Sequence, residues 1–271
     1  MKGRCLCILA ILILLVMSGL AQAQLTVIGT AAYDVNGTPG DPNDDVTCNL
    51  IWDDDSNGNS VVWLDYSSPV DTWVNQQDWA AGFEAQLTYD IDPQYTVTWY
   101  DPAWRLPNTV DRVYEYSCDG TATSATVTYG YYFTNSEMGH LYYTELGNPG
   151  HTHMSGGSCE LNSTWSFVPP YELQNIESFQ NLIASWYWSG TGYAANPDNA
   201  WHFHFDGGYQ GNYGGIVTSG YGLALRSGQV VNGSIPTLSE WGQTLLVVMM
   251  GVSRLGVTQM GLVGLGSNLY P

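Results

Sequence analysis

Lysine is almost missing from this 271-residue chain. Lys2 is the only one, and six basic side chains stand against 25 acidic ones. A surface so poor in cations repels phosphate backbones and anionic headgroups, which argues against nucleic acid as a partner. Cysteine is scarce as well: five occur, with no C-x-x-C pair, so a zinc knuckle has no ligand set. There is no G-x-S-x-G, no H-E-x-x-H and no phosphate loop. Disorder is argued against by what is abundant, 11 Trp and 19 Tyr, because such rings need burial or a partner.

The first 23 residues read as a secretory signal. Lys2 and Arg4 form a basic start, Cys5 to Leu20 an apolar run, and Ala21-Gln22-Ala23 a small-x-small cleavage site. Its removal leaves 248 residues, four arginines and a net charge near −21. Three cysteines then remain, Cys48, Cys118 and Cys159. Three is odd, so one internal disulfide at most forms and one thiol is spare; sequence does not choose the pair.

The body spans residues 24–231. QLTVIGTAAY (24–33) reads as a strand, and residues 34–47 as an acidic loop. VDTWVNQQDWAAGFEAQL (70–87) reads as a helix capped by Asp71, with Trp79, Phe83 and Leu87 as its apolar stripe. Residues 95–107 read as a strand running into a turn set by Pro102 and Pro107, 126–133 as another strand, and 136–148 as a short helix, capped by Ser136 and stopped by Gly147. Residues 149–170 read as loop, followed by strands at 185–190, 199–208 and 221–228. Early strands and helices followed by late strands imply an α+β fold rather than a parallel α/β sheet.

Within LIWDDDSNGNSVVWLDY (50–66), Asn57-Gly58 suits a type I′ turn, since both residues tolerate positive φ. A two-residue loop there sets Ser56 opposite Asn59, Asp53 opposite Val62, and Trp52 opposite Trp63. The competing reading is calcium. Asp53, Asp55 and Asn57 fall at positions 1, 3 and 5 of an EF-hand-type loop, with Gly58 at 6. Position 12 is Leu64, where a carboxylate belongs, and Asp65 comes one place late.

In NAWHFHFDGG, His202 and His204 share one strand face, while Trp201, Phe203 and Phe205 share the other. Alternation places the aromatics in the core and the histidines toward solvent. A zinc site built on His202 and His204, with His140, His151 or His153, is the alternative. Arg105 and Arg226 are rare cations in an acidic chain and read as structural ion-pair partners.

Four pieces line up in order: LIWDDDSNGNSVVWLDY, AWRLP, YWSGTGYA and AWHFHFDGG, closing with LALRSG. Together they resemble the Lcl C-terminal-like domain family over roughly residues 25–230. NSEMGHLYYTELGN resembles a linker helix of one branch. The resemblance implies a C-type-lectin-like fold: two helices around a mostly antiparallel twisted sheet with long loops. It also implies an extracellular, non-catalytic binding domain, with a glycan or matrix polymer as partner. Three departures stand out. Leu225 precedes Arg226, where many members carry a cysteine. The Glu-Pro-Asn, Gln-Pro-Asp and Trp-Asn-Asp triplets of calcium-dependent sugar-binding lectins are missing. No cysteine follows Cys159, so the paired-cysteine chemistry of the formylglycine-generating enzymes, which share that fold, does not carry over.

The tail, residues 232–271, holds SIPTLSEWGQTLLVVMMG, which resembles an IPTL-type sorting segment. Its apolar run is broken by Ser253-Arg254, short of the roughly twenty residues a membrane span needs. Membrane attachment, if any, is expected through this tail alone. The expectation is therefore an exported glycan-binding domain with no cofactor beyond the calcium candidates. A metal-dependent exported enzyme on the His pairs or the Asp cluster, and a structural matrix protein, are the alternatives.

Overall fold

The computed structural model describes residues 25–35, 45–111, 116–120, 129–155, 158–161, 173–214 and 217–233. The signal segment, the tail from residue 234 and most of the acidic loop at 34–47 lie outside the described residues. The chain divides into two compact units, residues 1–93 with 97–230, and residues 94–96 with 231–271. In the second, the Gly233 N–H donates to the Gln94 carbonyl at 2.8 Å.

The described body is mainly antiparallel β-structure with two short helices, an α+β fold. Chain order gives β1 (Thr26–Asp34), β2 (Asp45–Ser56), β3 (Asn59–Ser67), α1 (Trp73–Gly82), β4 (Leu87–Ile91), β5 (Tyr95–Trp99), β6 (Tyr116–Ser117) and β7 (Tyr129–Gly130). After these come α2 (Glu137–His140), β8 (Thr152–Ser155), β9 (Ser158–Leu161), β10 (Trp186–Gly192), β11 (Ala200–His204), β12 (Gln210–Tyr213) and β13 (Leu223–Asn232). Six strands form one sheet in the order β4-β1-β2-β3-β13-β5. Five form a second, β10-β11-β12-β7-β6, in which only the short β6–β7 pairing is parallel among the register pairs.

Both sheets turn their apolar faces to one core. Ile51, Val61, Trp63 and Leu225 come from the first sheet, and Tyr187, Phe203 and Phe205 from the second. Leu141 and Tyr142, in a π-helical turn that continues α2, close the gap. Trp201, Phe203 and Phe205 are fully buried, as alternation requires. Ser136 caps α2, its Oγ accepting the Gly139 N–H at 3.1 Å, and Gly147 follows with φ +62°.

The hairpin turn forms as the Asn-Gly step implies, with Asn57 at φ 52° and Gly58 at φ 80°. Ser56 pairs with Asn59, but a bulge between Asp53 and Ser56 shifts the register beyond it. Asp53 therefore faces Val61 and Trp52 faces Val62, and Trp63 lies opposite Ile51 instead of Trp52. The expected Trp–Trp pair does not form. Trp63 turns into the core, while the half-buried Trp52 donates its indole N–H to Ser60 Oγ at 2.9 Å. The inward bond from Trp63 to Asp53 goes with this register: both residues sit on the core side.

The long helix is also shorter than expected. Thr72, not Asp71, is its N-cap residue, and Leu87 belongs to β4, which pairs with β1. Asp71 still serves the helix start, its Oδ1 accepting from the Thr72 N–H and the Asn75 amide. The stretch read as loop at 149–170 contains the β8–β9 hairpin. Cys118 and Cys159 form the disulfide, with Cα atoms 5.8 Å apart, and Cys48 is the buried free thiol. Burial pushes the Cys48 thiol up to about 12, aided by the Asp65 charge, so it is inert.

Candidate binding site

The face of the second sheet that carries His202 and His204 is aromatic too. Opposed residues of an antiparallel pair share a face. Trp186 pairs with His204 and Trp188 with His202, so two tryptophans flank two histidines. On the other side His202 pairs with Gly211, and Ala200 with Tyr213. Gly211 leaves room there that the Tyr209 ring fills; a side chain at 211 would run into that ring.

The result is a cavity of about 280 Å³ lined by Trp186, His202, His204, Tyr213 and Thr218. Trp186 lies nearly parallel to His204, at 22° and 6.3 Å between ring centres, and edge-on to His202 at 5.5 Å. The lining reaches the surface at Tyr213, which is 58% exposed.

His202 forms the buried wall. Only 6% of it is exposed, so the expectation that both histidines face solvent holds for neither in full; His204 is half-buried. The reason is tertiary: Trp186, Trp188 and Tyr209 lie around the ring. Burial, with a smaller push from His204, drives the His202 pKa down to about 3. The ring is thus neutral at ordinary pH, with one donor and one acceptor nitrogen. Its Nδ1 is buried and finds no hydrogen-bond partner among the described residues.

A second cavity of about 260 Å³ shares His204 with the first. Tyr131, His151, Asp206, Gly207 and Tyr209 complete its lining. Asp206 Oδ1 sits 3.2 Å from His204 Nδ1, and the Tyr131 hydroxyl 3.1 Å from His151 Nδ1. The Tyr131 and Tyr209 rings meet edge-to-face at 5.5 Å. Asp206 is the one carboxylate in the lining, which holds no lysine or arginine.

The residues singled out in the hairpin do not assemble into a comparable site. Asp53 is sealed in the core; its Oδ2 accepts the Trp63 indole N–H at 3.1 Å and its Oδ1 the Asp55 N–H at 3.2 Å. Asp55 and Asn57 are exposed near the tip, where Asp55 Oδ1 accepts the Gly58 N–H at 3.0 Å. Asp65, one place late for a calcium loop, is spent on the backbone N–H groups of Gln180 and Asn181. Burial raises the Asp53 pKa to about 6, against the Trp63 hydrogen bond and with help from the Glu145 charge. His140 bonds Glu145 at 3.0 Å. Burial pulls His140 down, but that bond and the Asp53 and Glu145 charges carry it above its usual value.

The remaining candidates scatter. His153 lies on β8, opposite Glu160. Arg105 grips Glu137 with two hydrogen bonds of 2.7 Å each, and Arg226 pairs with Glu84 over the Trp99 ring. Both arginines are structural, as expected. No group of three His, Cys, Asp or Glu side chains able to hold a metal ion occurs among the described residues. Sequence reading missed Trp186, Tyr213 and Thr218 as site residues. The alternation in SWYWSG carried part of the signal, since it sets Trp186 and Trp188 on the face opposite Tyr187.

Among known families, the IPTL-CTERM motif matches residues 234–255. That sorting motif points to an exported, cell-surface-associated protein. Nothing in these comparisons supports the resemblance of residues 25–230 to the Lcl C-terminal-like family. No curated protein and no solved structure matches the chain.

Proposed function

We propose that this is an exported, non-catalytic binding domain, that its ligand is a glycan of the cell surface or surrounding matrix, and that the sugar sits in the Trp186 cavity. The observation that carries the reading is the lining of that cavity, where Trp186 and the exposed Tyr213 stand beside the rings of His202 and His204. Tryptophan and tyrosine rings offer the flat apolar surface on which the C–H face of a sugar stacks. A space of about 280 Å³ lies just under the usual range for small-molecule sites and suits one ring of a polymer that continues past the exposed Tyr213. The C-type-lectin-like reading of the body belongs to this proposal, with recognition on an aromatic face in place of a calcium triplet. No cofactor takes part, and the tail alone meets the membrane.

The test is a polysaccharide array followed by calorimetry on residues 24–233 in the presence of a chelator. Binding of at least one glycan, unchanged by the chelator and lost in Trp186→Ala, is expected. A folded domain that binds none, or one whose binding ignores Trp186→Ala, overturns the reading.

A further inference from the structure

The second cavity narrows the class of ligand, and this inference rests on the glycan reading above. We infer that the cavity between Tyr131, Tyr209 and Asp206 is an ammonium subsite, so that the preferred glycan carries free amino groups. Its lining joins one carboxylate, that of Asp206, to two tyrosine rings and two histidines, and holds no lysine or arginine. Aromatic faces and a carboxylate are the pairing that attracts a compact cation, through the ring quadrupole and direct charge. The position matters as much as the chemistry. His204 walls both cavities, so a ring seated against Trp186 places a substituent, or the next ring, on the Asp206 side. The Asp206–His204 bond fixes the carboxylate at that shared wall. The field of the whole molecule agrees. The chain after the signal segment, with four arginines and 25 acids, concentrates cations near its surface and repels uronic-acid or phosphate polymers.

Nonspecific attraction of a polycation to an acidic protein is the competing explanation, and a matched control removes it. Binding of a glucosamine trimer and of its fully N-acetylated counterpart is measured by calorimetry, below the pKa of the free amine. Wild type is expected to bind the amine trimer about tenfold tighter. Asp206→Asn keeps an oxygen for His204 but loses the charge, and should lower the preference to about one. Asp206→Glu should keep it. Asp78→Asn, an exposed site on α1 with the same change in net charge, should leave it intact. Equal affinities for the two trimers in wild type, or a preference that survives Asp206→Asn, overturns the subsite while leaving the Trp186 cavity standing. Failure of both trimers to bind overturns the subsite as well, and the array described above then decides whether the glycan reading falls with it.

Discussion

Asp53 in the first sheet and His202 in the second are both sealed from solvent, at 0% and 6% exposure, yet their surroundings differ. Asp53 accepts two hydrogen bonds, from Trp63 and from the Asp55 backbone. His202 has a buried Nδ1 that meets no partner among the described residues, beside an open cavity. Residues that serve only the fold tend to be satisfied within it, because an unmade bond costs stability. In the first cluster Trp63 bonds Asp53, and the charges of His140 and Glu145, bonded to each other, act on that carboxylate. The second lines a cavity with aromatic walls, which is why the site is read there and not in the acidic hairpin.

The largest way to sharpen that contrast is acid. The folded His202 titrates near 3, while an unfolded histidine titrates near 6.5. Between those values the unfolded chain takes up a proton that the folded site refuses, so stability falls as pH drops from about 6.5 toward 3. The full effect is about 5 kcal/mol. Urea denaturation of wild type against His202→Gln across that range should show wild type losing ground by about that amount. Parallel curves would mean the ring is not held neutral.

A second contrast is covalent. The first sheet is stitched by long ladders, whereas β6 and β7 have two residues each. The Cys118–Cys159 bond, closing a separation of 41 residues, ties that weak edge. The double variant Cys118→Ala/Cys159→Ala should lose about 4 kcal/mol in denaturation, the loop-closure entropy of such a ring.

Asp53 gives the opposite sign to His202. Its folded pKa, near 6, lies above the unfolded value of 3.8. The charged form is therefore penalised in the fold at neutral pH, and the penalty is relieved as pH falls through about 6 toward 4. Relative to Asp53→Asn, wild type should gain about 3 kcal/mol over that interval. A difference that does not change with pH would show that water reaches this carboxylate.

Much of this was legible in the chain. Phe203 and Phe205 announce a buried face by strict alternation, and Asn57-Gly58 announces its turn, because period and φ preference are local. Ser136 and Gly147 bracket α2 for the same reason. What failed was set at a distance. The bulge that breaks the Trp52–Trp63 pair accompanies an inward bond between Asp53 and Trp63. Leu87 leaves the helix because β1 needs a partner strand. His202 is covered by Trp186 and Tyr209, and no window around residue 202 contains the first of these. The β8–β9 hairpin lacks apolar alternation, and its Cys159 bonds to a residue 41 positions away.

The smallest effect on stability should carry one of the largest on binding. Tyr213 and Tyr100 are similarly exposed, at 58% and 64%. Tyr213 lines the Trp186 cavity; Tyr100 lies away from it, its hydroxyl bonded to Gln229 at 3.2 Å. Neither ring is buried enough to support the core, so alanine at either should change stability by no more than about 0.5 kcal/mol. If the cavity holds a sugar ring, only Tyr213→Ala removes a stacking surface. Affinity should then drop about tenfold, the equivalent of ~1.4 kcal/mol, with Tyr100→Ala unchanged. Equal effects of the two substitutions on glycan affinity would move recognition off this face and leave His202 as a strained core residue.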